Sequence, residues 1–346
     1  MMKILLMLFC FPAFVLPTGA VEIQAPRVPA SGQKLMPEAT ESFGEGLWEL
    51  LQKVVLEIRP DLMEASQVMV SVIAVVTLIS VLQLLAGEAG KTADMAGAVA
   101  VSVILLSAAN SMIRLGAETV QEMSDYGKLL FPVMTAAMAA QGGITSSTAL
   151  YMGTAIFDSI LGSLIARMFV PMVYFFLALA VANGALQEDF LKKMRDTLKG
   201  FVSWCLKTLL TVYTTYMGIS GVVSGTTDAA ALKAAKVTIS TAVPVVGGIL
   251  SDASESILVS TSLIKNTAGL YGIFAVLAVF LEPFLKIGAH YLLLKGTAAV
   301  SSVFGSKNLS DLIGDFSAAM GLLLAMTGSV CLLLLISTVC FMKGVG

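Results

Sequence analysis

One histidine, His290, in 346 residues leaves no room for a histidine metal cluster. Four cysteines without a CxxC spacing offer neither a zinc ribbon nor a redox pair. Charge is equally scarce: 13% of the residues are Asp, Glu, Lys or Arg, against roughly 25% in soluble domains. The 21 Lys and Arg against 23 Asp and Glu form no basic stripe, which excludes nucleic acid as a partner. No Walker loop, GxGxxG turn or nucleophile elbow is present, so the chain holds no recognisable catalytic constellation and no cofactor is expected. What fills the space is apolar. With 57% hydrophobic residues and a mean hydropathy of +0.89, the chain has too little polar surface for water, and its solvent is the lipid bilayer.

The first twenty residues read as a secretory signal. Lys3 forms a thin n-region, Ile4 to Leu16 an apolar core, and Thr18, Gly19 and Ala20 a small-residue end suited to cleavage. Residues 21–66 then form an exported region. Pro26, Pro29 and Pro37 mark a flexible linker over 24–40. Phe43, Leu47, Leu50, Leu51, Val54 and Ile58 recur at helical spacing opposite Glu45, Glu49 and Lys53, which predicts an amphipathic helix ending at Pro60.

Residues 67–346 are expected to form an all-α polytopic membrane domain of about seven to ten apolar segments. Gln67 to Ala86 is long enough to cross a hydrocarbon core. A second span near 95–113 ends at a polar loop carrying Arg114, Glu118, Glu122, Asp125 and Lys128. Beyond it the prolines suggest a parallel internal repeat, 120–225 and 232–340. Pro132 and Pro171 lie 39 residues apart, as do Pro244 and Pro283, and the copies are offset by 112. Each copy reads as four arms: 129–141, 148–167, 168–185 and 200–224, then 237–251, 257–279, 280–297 and 313–342. The short first arms, with Pro132 and Pro244, suggest broken or re-entrant helices, and all four prolines are candidate helix breaks.

Two sets of residues carry the candidate chemistry. Lys192, Lys193, Arg195 and Lys199, in an amphipathic stretch at 186–200, are the densest cationic cluster and predict a cytoplasmic segment touching anionic headgroups or a soluble partner. Asp158, Asp252 and Glu255 are carboxylates in apolar surroundings, and Glu282, Lys286 and His290 share one helix face. That face reads either as a self-neutralising pair or as an ion relay.

The strings FPVMTAAMAAQGG (131–143), TVYTTYMGISGVVSGTTDAAALKAAK (211–236) and AVPVVGGILSDASESIL (242–258) resemble stage III sporulation protein AE of endospore-forming Firmicutes, over residues 40–346. The exported N-terminal region is short for that family. The resemblance implies a non-catalytic subunit of the mother-cell assembly that builds a channel, or feeding apparatus, to the engulfed forespore. It also implies location in the mother-cell membrane around the forespore and a requirement for late, sigma-G-dependent forespore gene expression. Expected partners are other stage III sporulation membrane proteins, a secretion-type ATPase and ring components. The alternative is a secondary permease with a substrate site between the repeats, near Asp158, Asp252 and Glu255.

Overall fold

A computed structural model describes residues 26–38, 43–86, 90–140, 144–219, 267–304 and 307–343. Pro244, Asp252, Glu255, the signal segment and most of the first half of the expected second repeat lie outside the described residues. The described residues are helical, with no strand among them. After a one-turn helix α1 (Ala30–Gln33) come α2 (Phe43–Ala86), α3 (Gly90–Ala140), α4 (Ile144–Leu164), a π-helical turn (Ile165–Phe169), α5 (Val170–Leu186), α6 (Asp189–Ile219), α7 (Thr267–Val303) and α8 (Lys307–Lys343).

Among the described residues the helices run longer than the proline pattern predicts. α2 runs unbroken through Pro60 and across the expected 66/67 boundary, joining the amphipathic stretch to the first span. α3 runs through both the expected polar loop at 114–128 and Pro132, so arm 129–141 is its last part and not a separate re-entrant helix. α7 continues through Pro283. Among the described residues five helical runs are therefore long and apolar enough to span a membrane. A proline removes one backbone hydrogen bond, and neighbouring helices and local widening absorb that loss.

Pro171 shows how. The arms 148–167 and 168–185 are one continuous run, with the π-turn just ahead of the proline. There the N–H of Val170 bonds the carbonyl of Ile165, one residue further back than in an α-helix. Hydroxyls supply further satisfaction within the apolar helices: Ser80, Ser102, Thr154, Thr327, Ser329 and Ser337 each donate to the carbonyl four residues earlier.

α8 is the axis. It packs against α7, α3, α4, α5 and α6, and its most apolar 18-residue stretch is entirely buried. α2 joins from outside, against α7 and α3. Small residues permit the close approach: a Cβ on Gly97 would sit 2.9 Å from Ile79 of α2, and one on Gly127 would sit 2.7 Å from Leu334 of α8. The expected flexible linker is partly docked, because Val28 and Leu35 are buried and α1 packs on α7.

Candidate functional site

Three polar clusters tie the bundle together. The first brings α2 to α7. Lys286 Nζ lies 2.8 Å from Glu282 and 2.7 Å from Asp61, while His290 Nδ1 sits 3.0 Å from the carbonyl oxygen of Lys286. Glu282, Lys286 and His290 do share a face, as the spacing predicts, and Asp61 completes it from another helix. One ammonium sits between two carboxylates, with Lys286 and Glu282 about a fifth exposed and Asp61 more open.

The second cluster surrounds Asp158, only 3% exposed. Ser124 Oγ donates to its carboxylate at 2.8 Å. On the adjoining residue Phe157 meets Tyr213 edge-on at 5.2 Å, and the Tyr213 hydroxyl lies 2.5 Å from Ser337 Oγ. Four helices, α3, α4, α6 and α8, thus converge on a buried seam of hydroxyls and one carboxylate.

The third closes the end of the bundle where α2 meets α3, α5 meets α6 and α7 meets α8. Asp94 accepts from Gln83 at 2.9 Å, from Gln187 at 2.7 Å and from Asn308 at 3.2 Å, so one side chain pins three connections. Gln187 takes the left-handed conformation (φ 57°) that stops α5. Two residues later Asp189 stands in the first turn of α6, where a carboxylate suits the helix dipole. Arg195 pairs with Asp315 of α8 and with Asp196.

That pairing separates the cationic cluster. Lys192 and Lys193 are exposed and Lys199 is half-buried, but Arg195 is 7% exposed and turned inward. Of the four cations, Arg195 is not on the contact face. The partners Asp61, Ser124 and Asp315 escaped the sequence analysis because each lies on a helix remote in sequence. The available signal was that an ionisable group in an apolar helix requires a partner. Among the described residues no three His, Cys, Asp or Glu side chains stand close enough to hold a metal ion.

The exposed surface divides the bundle into two zones. Near the Asp94 end it is an apolar belt: Leu78, Leu82 and Leu85 of α2, Val99, Val103 and Leu106 of α3, Phe175 of α5 and Leu292 of α7. Apart from exposed Lys295 within the belt, charges on these helices return farther along. Asp61, Arg114, Arg167, Lys207, Glu282 and Lys286 lie roughly 25–38 Å along their helices from that end at 1.5 Å per residue. That matches a hydrocarbon core about 30 Å thick. Beyond it α2 and α3 expose Glu57, Arg59, Glu118, Gln121, Glu122, Asp125 and Lys128, interspersed with Trp48, Val55, Leu56 and Leu129.

The family model for stage III sporulation protein AE matches residues 33–344. A curated relative, stage III sporulation protein AE of Bacillus subtilis (strain 168), is 23% identical over 230 residues, covering 65% of this chain and 58% of the relative. The alignment thus spans less than two thirds of the relative's length. No solved structure matches.

Proposed function

Because this chain belongs to the stage III sporulation protein AE family, we propose that it is a non-catalytic, multi-pass membrane subunit of the channel complex between mother cell and forespore. In this reading it resides in the mother-cell membrane around the forespore. Its partners there are other stage III sporulation membrane proteins, a secretion-type ATPase and ring components. The carrying observation is that the axis of the described bundle is occupied by α8, packed on all sides by apolar neighbours. A bundle with a filled axis serves a conduit as one member of an assembly, with the passage running between copies or against partners. The second supporting feature is length. α3 has 51 residues, about 76 Å of helix at 1.5 Å per residue, and so carries a water-facing section well beyond the bilayer on the side where an intermembrane partner would stand.

The test is deletion of the gene in its own host with a forespore sigma-G reporter. Arrest after engulfment with a silent reporter, restored by the wild-type gene and by Asp158→Asn or Glu282→Gln, supports a structural subunit. Normal sporulation in the deletion strain removes the proposal. Failure of either amide variant to complement, at unchanged protein abundance, favours a permease built on that carboxylate.

A further inference from the structure

Arg167 is the only basic residue between Ile144 and Leu186. It stands in the π-turn, is exposed, and has no ion-pair or hydrogen-bond partner among the described residues. It is therefore unlike Arg195, paired with Asp315, and Lys286, paired with Asp61 and Glu282. Its level is about 28 Å from Leu186 at 1.5 Å per residue, the far boundary of the hydrocarbon core.

The stripe through Arg167 changes polarity at that residue. One and two turns outward are Ser163 and Ser159, both exposed. Neither hydroxyl has a partner among the described residues, whereas Ser80, Ser102, Ser329 and Ser337 donate to carbonyls four residues back. One and two turns inward, toward Leu186, are Pro171 and the pair Tyr174 and Phe175, followed by Ala178, all exposed on the same side. Ser159, Ile160, Ser163, Leu164, Arg167 and Met168 line a shallow, open depression on the surface. Along this stripe, hydroxyls beside exposed Ile156 and Ile160 outside, a planar cation at the boundary and an apolar track below follow the order of headgroup, phosphate and acyl chain in a leaflet.

We propose that the stripe Ser159–Ser163–Arg167–Phe175 is a phospholipid seat, in which Arg167 grips the phosphodiester, the serine hydroxyls meet the headgroup, and an acyl chain lies along Pro171, Phe175 and Ala178. The guanidinium fork suits a phosphate diester, giving two parallel charge-assisted hydrogen bonds. The π-turn contributes by holding a residue at the widest point of the helix, beside a proline that cannot donate to the Arg167 carbonyl.

The experiment uses the full chain in mild detergent, with binding followed by native mass spectrometry. The probes are dioleoyl phosphatidylglycerol, dioleoyl glycerol with the same chains and no phosphate, and inorganic phosphate. Wild-type protein is expected to bind phosphatidylglycerol at least about tenfold more tightly than Arg167→Ala, the loss that follows from removing hydrogen bonds to a charged group. Arg167→Lys should fall between, and dioleoyl glycerol should bind all three alike. Equal phosphatidylglycerol affinity in wild type and Arg167→Ala overturns the proposal. So does equal loss of dioleoyl glycerol, which would reveal an acyl groove without phosphate recognition, or displacement of the lipid by inorganic phosphate, which would reveal a free-anion site. Should Arg167→Ala fail to fold, the double variant Ser159→Ala, Ser163→Ala supplies the same comparison: weakened phosphatidylglycerol binding supports the seat, and unchanged binding removes it.

Discussion

At the scale of single residues, the strongest constraint is that a charge in an apolar bundle stays only where another charge meets it. Arg195 shows the consequence. Its guanidinium and the Asp315 carboxylate are 8% and 13% exposed as side chains, so removing Arg195 strands Asp315. Arg195→Met is expected to destabilise by about 3–5 kcal/mol, the cost of an uncompensated buried charge. The pair replacement Arg195→Met, Asp315→Leu should recover most of that loss, and thermal unfolding in detergent measures both. An equal loss in single and pair variants would show that the ion pair is not what Arg195 supplies. Around Lys286 the ranking is different. Glu282→Gln leaves Lys286 its Asp61 partner, and Asp61→Asn leaves it Glu282, whereas Lys286→Met leaves two carboxylates facing each other. The lysine variant should therefore melt lowest of the three. The i, i+4 pair of Glu282 with Lys286 was legible in the sequence because local spacing determines it. Arg195 with Asp315, 120 positions away, was not, since only packing brings α6 and α8 together; hence Arg195 looked like a surface cation beside Lys192 and Lys193.

Among elements, the all-helical membrane class was legible from composition and from apolar runs such as Gln67 to Ala86, but the helix ends were not. Pro60, Pro132, Pro171 and Pro283 carry strong breaking signals in water, where a freed carbonyl and a bent helix compete with solvated alternatives. In lipid an interrupted helix exposes more unsatisfied backbone than a widened one does, so the chain keeps the helix and adjusts a turn. The repeat hypothesis placed a boundary at 167/168, and the structure places a π-turn there. A π-turn holds one residue more than an α-turn over the same rise. Deleting Ala166 should therefore restore α geometry while keeping Asp158 facing Ser124 and Tyr174 facing Asn110, at a cost under about 1 kcal/mol. Inserting an alanine after Leu161 should instead rotate the two parts of the run by about 100° relative to each other. That rotation withdraws Asp158 from Ser124 and is expected to cost at least about 2 kcal/mol for a buried polar group without its partner. Thermal unfolding of the two variants decides the matter: equal melting would show that the π-turn is not a one-residue insertion in an otherwise regular helix.

For the whole molecule, the two surface zones predict where the bilayer lies. An apolar belt starts at the Asp94 end and gives way to charge near Arg114, Arg167 and Lys286. The bundle is thus set asymmetrically, with the α2–α3 section carrying Glu57, Arg59, Glu118, Glu122 and Asp125 standing clear of one face. The exposed lysines clustered at the opposite end, Lys192 and Lys193 with Lys307, predict the cytoplasm for that side. Labelling tests the arrangement directly, because the described native cysteines are poorly placed to react: Cys331 and Cys340 are buried and Cys205 is half-buried. With the chain expressed in vegetative cells, where its outer face meets the medium, a cysteine at exposed Glu122 should be modified by a membrane-impermeant maleimide, as should one at Glu57. A cysteine at Lys193 should react only after permeabilisation, and one at Val103 or Leu82 should stay unreactive in both conditions, since a thiol within hydrocarbon does not ionise to the reactive thiolate. The pattern separates the alternatives cleanly. Reaction at Lys193 before permeabilisation would invert the topology. Silence at Glu122 and Glu57 together with reaction at Val103 would move the bilayer to the other end of the bundle, and with it the phosphate level assigned to Arg167.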